Sequence, residues 1–378
     1  MNIPKLRFKD NNGNDYPQWE KKLIKDILKI YHGKDYKNEP NEKKLYPVLG
    51  TGGIITYIDK FLCDWECVLI GRKGTINKPQ YMKTPFWSVD TLFYSKPKLK
   101  QNPKFQYYLF QNINWKIYDE STGVPSLSAS TIEHINRFIP TYAEQEKIAS
   151  FFSTIDKKIE NLENTITSLE NQKKGLLQQI FSQKLRFKDE NGNNYPNWEK
   201  KKLGDITTSY SGGTPSVNVK DYYNGTIPFI KSGEIHNSFT ETFITETGLN
   251  SSSAKLVKKG DLLFALYGAT SGDTSISKIN GAINQAILCV RSTTLNLHYL
   301  YQLLNFYRNK LLSIYLQGGQ GNFSATIFKN LIFNFPCLEE QTKIADFLSA
   351  FDRKLENQKA QLEHWQQIKK GLLQQMFV

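Results

Sequence analysis

The side chains best suited to chemistry are scattered along the chain. Cys63 and Cys67 are four residues apart, a spacing that a metal site can use, but no second Cys or His pair stands nearby to complete four ligands. The five histidines show no pairing, and acidic pairs such as Asp119 and Glu120 are better explained by helix starts and solvation. Four cysteines in 378 residues indicate reduced thiols rather than a disulfide framework. We therefore expect no metal site and no catalytic cluster.

Sequence motifs for catalysis are missing as well. The sequence has no G-x-x-x-x-G-K-[ST] loop, no G-x-G-x-x-G that opens a helix after a strand, no H-E-x-x-H, and no D-P-P-Y or N-P-P-F segment. No run approaches the roughly 18 apolar residues of a membrane span, and the first residues lack the apolar run of a signal peptide. A cytoplasmic protein that is not an enzyme by itself is expected.

The elements that position any site come from an internal repeat. Leu6–Ile27 recurs as Leu185–Ile206 with 16 of 22 positions identical, and Glu144–Asn161 recurs as Glu340–Asn357. The offsets are 179 and 196 residues, so the order is a–X–b–a–Y–b, with near-copies a and b and diverged X and Y. Joining the termini would give a circular, pseudo-twofold molecule. The predicted segments are 1–20 (a), 21–140 (X), 141–182 (b), 183–199 (a), 200–336 (Y) and 337–378 (b).

Both b segments have the periodicity of long helices. Apolar residues alternate in steps of four and three, a heptad seam that Lys173 interrupts in the first copy and Gln358 and Lys369 in the second. About forty residues at 1.5 Å each make rods of roughly 60 Å. The simplest arrangement packs the two seams antiparallel against each other. The alternative is two long helices packed on separate domains.

Segments X and Y have the pattern of α+β domains. Short β-branched and aromatic runs are broken by Gly, Pro and Asn. Weak but ordered similarities predict one fold with different loops: Pro47–Ile54 with Pro228–Ile235, Cys67–Gly74 with Asp261–Gly268, and Thr122–Ser128 with Gly318–Ser324. The predicted fold class is therefore α+β, with two globular domains separated by two long antiparallel coiled-coil helices.

The net charge of +13 lies in X and Y. X has 19 basic and 11 acidic residues, net +8, and Y has 13 and 7, net +6, whereas the b segments sum to −1 and 0. Two basic domains on a neutral rod suit a two-part duplex site, because Lys and Arg bind phosphates and polar loop residues read base edges. Modules on one face of B-DNA lie about 34 Å apart, or a multiple of that distance. The rod would act as a ruler.

The chain resembles the specificity subunit of Type I restriction-modification enzymes over essentially its whole length. Each b segment opens with P-x-x-x-E-Q-x-K-I-A, from Pro140 and from Pro336, and contains G-L-L-Q-Q near its end. A W-E-x-K-x-L motif leads into Y at Trp198, with a looser form at Trp19, and Y also has the sequence SGGTPS from Ser211. X lacks SGGTPS and has Ile30–Asp35 at that place, so the role of that loop cannot be transferred to X.

The resemblance implies a non-catalytic subunit that reads an asymmetric bipartite DNA sequence, with one target recognition domain per half-site. Its partners would be double-stranded DNA, two methyltransferase subunits and motor-nuclease restriction subunits. No cofactor is expected in this chain: S-adenosylmethionine belongs to the methyltransferase, and ATP and Mg to the motor-nuclease. The polar faces of the b helices are candidates for docking, or are simply solvated: Lys157, Lys158, Lys173, Lys174, Arg353, Lys354, Lys369 and Lys370.

Candidate DNA contacts are polar and basic residues in loops punctuated by Gly, which lets the backbone approach phosphate. Arg72 is the preferred guanine reader, because its guanidinium can engage O6 and N7 together, and Asn284 or Gln285 could engage adenine. The remaining candidates in X are Thr51, Gly52, Gly53, Lys73, Thr75 and Ser126, and those in Y are Ser211, Thr214, Lys231, Ser232, Tyr267, Gln320 and Asn322. The Lys-rich stretches 34–44 and 255–259 are expected to touch phosphate or solvent.

A second hypothesis belongs to a different class of protein. The chain would then be a non-catalytic coiled-coil scaffold whose basic domains bind nucleic acid without sequence preference. Competition by random duplex separates the two hypotheses, because a scaffold gains nothing from a particular sequence.

Overall fold

A computed structural model describes residues 4–315 and 322–377, and the chain divides into two compact units. Unit 1 contains the residues up to Asn164 together with those from Lys359 onward, and unit 2 contains Thr165–Gln358. Each unit therefore combines part of the first long helix with part of the second.

Unit 1 contains segment X, the first part of one long helix and the last part of the other. A four-stranded antiparallel sheet has the order β2-β8-β5-β6, and a three-stranded sheet has the order β4-β3-β7 with β3 and β7 parallel. Strand β1 pairs antiparallel with β9 where X joins the long helix. The elements are β1 Glu20–Leu23, α1 Ile24–Ile27, β2 Leu28–Tyr31, β3 Tyr46–Gly50, β4 Gly53–Ile58, β5 Cys67–Gly71, β6 Gln80–Met82, β7 Trp87–Ser88, β8 Leu92–Pro97, α2 Pro103–Asn112, α3 Ala129–Glu133, β9 Asn136–Ile139 and α4 Tyr142–Phe181.

Local sequence explains where these elements begin. Strand β5 is an unbroken apolar run and is buried along its whole length, as expected of a strand covered on both faces. Helix α2 begins at Asn102, whose side chain accepts a hydrogen bond from the Phe105 N–H, and Pro103 occupies the first helical position.

Unit 2 contains segment Y in the same arrangement. Its sheets have the orders β11-β18-β15-β16 and β13-β12-β17-β14, and β10 pairs antiparallel with β19. The elements are β10 Glu199–Lys202, α5 Leu203–Ile206, β11 Thr208–Ser211, β12 Tyr223–Ile230, β13 Phe243–Ile244, α6 Glu246–Asn250, β14 Lys255–Val257, β15 Leu262–Ala265, β16 Thr274–Ile276, β17 Gly281–Ile283, β18 Ile287–Arg291, α7 Leu297–Tyr315, α8 Ala325–Asn330, β19 Ile332–Phe335 and α9 Leu338–Met376.

The prediction that X and Y share one fold is confirmed by this topology. Strands β2, β8, β5 and β6 correspond in order and direction to β11, β18, β15 and β16. The parallel pair of β3 and β7 corresponds to that of β12 and β17. Two differences are the extra edge strand β14 and the longer helix α7 in unit 2.

The long helices pack antiparallel within each unit, as the seams predicted. In unit 1, the start of α4 lies beside the end of α9: the rings of Phe152 and Phe377 are 6.2 Å apart. In unit 2, the end of α4 lies beside the start of α9, where Lys173 forms an ion pair with Asp352. The predicted α+β fold class is therefore confirmed.

The ends of the long helices belong to the hydrophobic cores. Leu373, Met376 and Phe377 are buried in the core of unit 1, and Ile180 and Phe181 in that of unit 2. The backbone repeats this relation at the junctions. The Leu6 N–H donates to the Gln375 carbonyl over 3.1 Å, as the Leu185 N–H does to Gln179 over 3.1 Å. Chain end and chain start therefore meet in unit 1 as the two repeat copies meet in unit 2. None of the helices in the described ranges is long and apolar enough to span a membrane.

Candidate nucleic-acid interface

The motif that opens each b segment fastens the domain to its helix. The buried Glu144 carboxylate accepts two hydrogen bonds from the Arg7 guanidinium, at 3.0 and 2.7 Å, and one from the Trp19 indole at 3.1 Å. Glu340 is bound in the same way by Arg186 and Trp198. A bidentate Arg–carboxylate pair fixes direction as well as distance.

The next polar residues of the motif complete this attachment. The Gln145 Oε1 accepts a 2.9 Å hydrogen bond from the Asn102 N–H at the start of α2, and Lys147 donates to the Lys9 carbonyl. Gln341 and Lys343 make the equivalent bonds to Asn296 and Lys188. The motif therefore joins segment a, the long helix and the helix of the domain, which explains why E-Q-x-K recurs intact.

In unit 1, the first group of predicted contact residues forms the turn between β3 and β4. Gly53 pairs with Gly50 and has φ +111°, a conformation that favours glycine. Gln80 donates a 2.8 Å hydrogen bond to the Gly50 carbonyl, which ties the turn to β6. Thr51 and Gly52 stand at the tip of this turn.

The second group follows β5 and lies beside that turn. Lys73 forms a β-bridge with Ser126, and the Arg72 guanidinium donates a 3.3 Å hydrogen bond to the Asp90 carbonyl. A β-carbon at Gly74 would lie 4.0 Å from the Thr51 hydroxyl oxygen. The structure thus brings the seven residues predicted in X to one end of the domain: Thr51, Gly52, Gly53, Arg72, Lys73, Thr75 and Ser126.

An acidic residue holds the Ser126 segment in place. The Asp119 carboxylate accepts hydrogen bonds from the N–H groups of Ser126, at 2.9 Å, and Ser121, at 3.0 Å. These bonds, that from Ser126 above all, lower the pKa of Asp119 because they stabilise its charged form. Asp119 therefore has a structural role, as an acceptor for backbone N–H groups of its own loop.

In unit 2, the predicted residues gather where β12, β15 and β17 end. The Thr214 hydroxyl donates a 2.6 Å hydrogen bond to the Gln285 Oε1, and Gln285 is exposed. The Asn284 Oδ1 accepts a 3.1 Å hydrogen bond from the Ala286 N–H, so its amide is engaged within the turn. Of the two candidate adenine readers, Gln285 is exposed and Asn284 is half-buried.

The other residues predicted in Y lie around this pair. The Asn284 N–H donates to the Ile230 carbonyl, next to Lys231 and Ser232, over 3.4 Å. The Leu266 carbonyl accepts from the Phe323 N–H at 2.7 Å, which sets Tyr267 beside Asn322. Ser211 ends β11 opposite Leu288, whereas Gln320 lies outside the described residues.

The glycine loop that follows β2 was not predicted from the sequence. A β-carbon at Gly33 would lie 1.9 Å from the Val89 carbonyl oxygen, and one at Gly212 would lie 1.8 Å from that of Ile283. Gly33 therefore takes the place of the first glycine of SGGTPS in unit 1. The loop of X does have a partial counterpart, although only the 179-residue offset could have revealed it. In this loop Lys34 is exposed, and its carbonyl accepts a 2.8 Å hydrogen bond from the Trp87 indole.

The basic residues proposed for docking on the long helices divide into two sets. Lys173 and Lys369 are turned inward, with side chains 17% and 16% exposed, and each forms an ion pair within its unit. A docking role for these two is therefore not supported. The other six are exposed: Lys157, Lys158, Lys174, Arg353, Lys354 and Lys370.

Three of the four cysteines are buried, namely Cys63, Cys67 and Cys289, and Cys337 is half-buried. Cys63 and Cys67 are buried with their Sγ atoms 3.8 Å apart. Within the described ranges, no group of three or more His, Cys, Asp or Glu side chains could hold a metal ion.

Two basic α+β domains with the same core strand order, each joined to long antiparallel helices by the same buried motif, place this chain in a class of tandem two-domain proteins. The family model of the "Type I restriction modification DNA specificity domain" matches residues 16–171 and 195–364. The chain belongs to this family, and it is the DNA sequence-specificity subunit of a type I restriction-modification system rather than its catalytic subunit.

Named relatives agree with this assignment, and a solved structure shares the fold. The specificity subunit MjaVIII of Methanocaldococcus jannaschii is 24% identical over 97% of this chain and 94% of its own length. MjaIX from the same organism is 30% identical over 52% of this chain. The match covers about half the length of that relative, 48%. The crystal structure of the S subunit from M. genitalium matches with a TM-score of 0.72 at 16% identity, covering 100% of this chain and 99% of the other, which shows the shared fold.

Proposed function

We propose that the chain recognises an asymmetric, two-part DNA sequence, with residues 21–140 reading one half-site and residues 200–336 reading the other. The observation that carries this proposal is the repetition of one domain whose polar loops meet at one end in each unit. In unit 1 the turn at Thr51 lies beside the loop at Arg72, and in unit 2 Thr214 contacts Gln285. All the surplus positive charge belongs to these same two domains.

The chemistry of the two loop clusters suits duplex DNA. Exposed lysines such as Lys73 and Lys231 can bind phosphates and supply affinity that does not depend on sequence. The Arg72 guanidinium can donate to O6 and N7 of guanine, and the Gln285 amide can pair with N6 and N7 of adenine. Different side chains in the two clusters imply that the two half-sites differ in sequence.

The long helices would set the number of unread base pairs between the half-sites. They would also dock two methyltransferase subunits, which bind S-adenosylmethionine and modify adenine, through faces that include the exposed Lys157 and Arg353. With motor-nuclease subunits that use ATP and Mg, the assembly would be a Type I site-specific deoxyribonuclease. A complex that acts on DNA in this way would work in the cytoplasm.

Competition binding tests the proposal against the scaffold hypothesis. The chain with its methyltransferase is bound to a labelled duplex that contains the sequence the complex methylates. Unlabelled random duplex is then added at a fixed salt concentration, because phosphate contacts depend on salt. Sequence reading predicts that random duplex competes at least about a thousandfold less well than the specific duplex. Equal competition would support the scaffold and contradict the proposal.

A further inference from the structure

The two lysines that interrupt the apolar seams each bind a carboxylate on the helix of the other repeat copy. In unit 1, the Lys369 Nζ lies 2.7 Å from the Asp156 Oδ1, and in unit 2 Lys173 pairs with Asp352. All four side chains are between 16% and 28% exposed. The pairs occupy equivalent positions, because both residues of one pair are 196 positions from their counterparts in the other.

Each carboxylate also holds the main helix of the domain in its unit. The Tyr108 hydroxyl of α2 donates a 2.6 Å hydrogen bond to the Asp156 Oδ2, and the Gln302 amide of α7 donates a 2.6 Å hydrogen bond to the Asp352 Oδ2. One oxygen of each aspartate therefore binds the domain, and the other binds the lysine. Each aspartate joins three segments that are far apart in sequence.

These junctions connect to the predicted reading loops through one layer of packing. Helix α2 packs on β5, whose end leads directly to Arg72, and α7 packs on β15, whose end leads to Tyr267. A change in the position of α2 or α7 is therefore passed to the loops by the strand beneath. A half-buried carboxylate that loses one cation keeps its desolvation cost, so the local structure shifts to restore a partner. At Asp156 the other cation is Lys104 of α2, whose Nζ lies 3.9 Å from the Oδ2.

We infer that Asp156 and Asp352 are positioning residues for DNA recognition, and that their lysines act crosswise. Lys369, in the second repeat copy, supports reading by the domain of residues 21–140. Lys173, in the first copy, supports reading by the domain of residues 200–336. The inference rests on the proposed function, since it concerns how each half-site is read.

The test uses the complex with its methyltransferase and the variants Lys369→Gln and Lys173→Gln. Chimeras that carry one recognition domain of a relative first show which domain reads which half-site. Methylation rates are then measured on duplexes with single base changes in either half-site. Lys369→Gln is expected to reduce discrimination about tenfold in the half-site of domain 21–140 and to leave the other unchanged, with the reverse for Lys173→Gln. Exposed residues two positions before each lysine give matched controls, because Gln367→Ala and Asn171→Ala should change neither half-site.

Three results would overturn the inference: an effect on the half-site of the same repeat copy, an equal effect on both half-sites, or no effect. A purely structural pair would weaken both half-sites together through loss of folded protein. The double variant Asp156→Asn with Lys369→Gln should lose no more discrimination than the larger of the two single losses, because both residues act through one contact.

Failure of the proposed function gives a different pattern. The wild-type complex would then show no two-part preference at all. The melting temperature still tests the crosswise contact in that case: Lys369→Gln and Asp156→Asn should each lower it, and the double variant should lower it by less than the sum of the two. Melting temperatures that do not change in the single variants would overturn the contact itself.

Discussion

At the scale of single residues, the account depends on a few side chains at the ends of strands. Arg72 follows β5, and its backbone is hydrogen-bonded to the Thr91 carbonyl and the Leu127 N–H. Among the contacts described, its guanidinium makes one hydrogen bond, to the Asp90 carbonyl at 3.3 Å. A weakly bonded guanidinium on a fixed backbone can exchange that bond for a base.

Arg72→Ala should weaken recognition of one half-site by about 1–3 kcal/mol, because it removes a bidentate contact to a base edge. Binding is measured on the specific duplex and on duplexes altered in either half. The exposed Lys116→Ala is the control and should change little. An equal loss of affinity on all sequences would make Arg72 a phosphate contact instead.

Thr214→Val should reduce discrimination in the other half-site by about 1 kcal/mol, because Gln285 loses the hydroxyl that orients its amide. Gln285→Ala should cost more, about 1–3 kcal/mol, since it removes the reading group itself. Methylation of duplexes altered in that half-site measures both, with Thr226→Val on the same domain as the control. A Thr214→Val variant with a larger effect than Gln285→Ala would show that the pair is structural.

Part of the site could be predicted at this scale. The Gly, Thr and Ser residues of the basic loops indicate candidate contacts. The structure brings these residues together in each unit. Two assignments needed the structure: the Asn284 Oδ1 accepts a bond inside its own turn, and Lys173 and Lys369 face inward to half-buried carboxylates. A lysine in an apolar seam has the same sequence signal whether its ammonium reaches solvent or a carboxylate on another helix.

At the scale of elements, the long helices could be predicted with their pairing, because two near-copies showed the same heptad seam. The strand order could not be predicted. Strand β3 pairs in parallel with β7, which lies far from it in the sequence, and no local sequence pattern indicates that pairing. The loop at Gly33 was missed for a related reason: its glycine is required by the Val89 carbonyl, a contact made 56 residues away in the sequence.

Gly33→Ala should destabilise unit 1 by about 1–3 kcal/mol, because its methyl group would lie 1.9 Å from a backbone oxygen that must move. Hydrogen exchange of the amides in β7 and β2 measures this loss. Gly123→Ala is the matched control, since a β-carbon there meets no atom within 4 Å. Equal protection in the two variants would contradict the close approach.

Phe377→Ala should destabilise unit 1 by about 3–5 kcal/mol and leave unit 2 unaffected, because this ring packs with Trp19, Phe105 and Phe152. Phe181→Ala should do the reverse, since its ring packs on Tyr299 and Phe306. Hydrogen exchange resolved by unit distinguishes the two. Loss of protection in the opposite unit would contradict the assignment of the helix ends.

At the scale of the whole molecule, a tandem repeat is divided so that each unit contains helix segments from both copies. The net charge of +13 resolves into +8 on segment X and +6 on segment Y, with near-neutral helices. Two basic domains of one topology and different loops are what reading two different half-sites requires.

Methylome sequencing of cells that express this chain with its methyltransferase tests the central claim most directly. The account predicts adenine methylation at a site of two short defined sequences, different from each other and separated by a fixed number of unspecified base pairs. Exchange of residues 21–140 for the same domain of a relative should change one of the two sequences and preserve the other. Methylation at a single uninterrupted sequence, or a domain exchange that alters both parts, would contradict it.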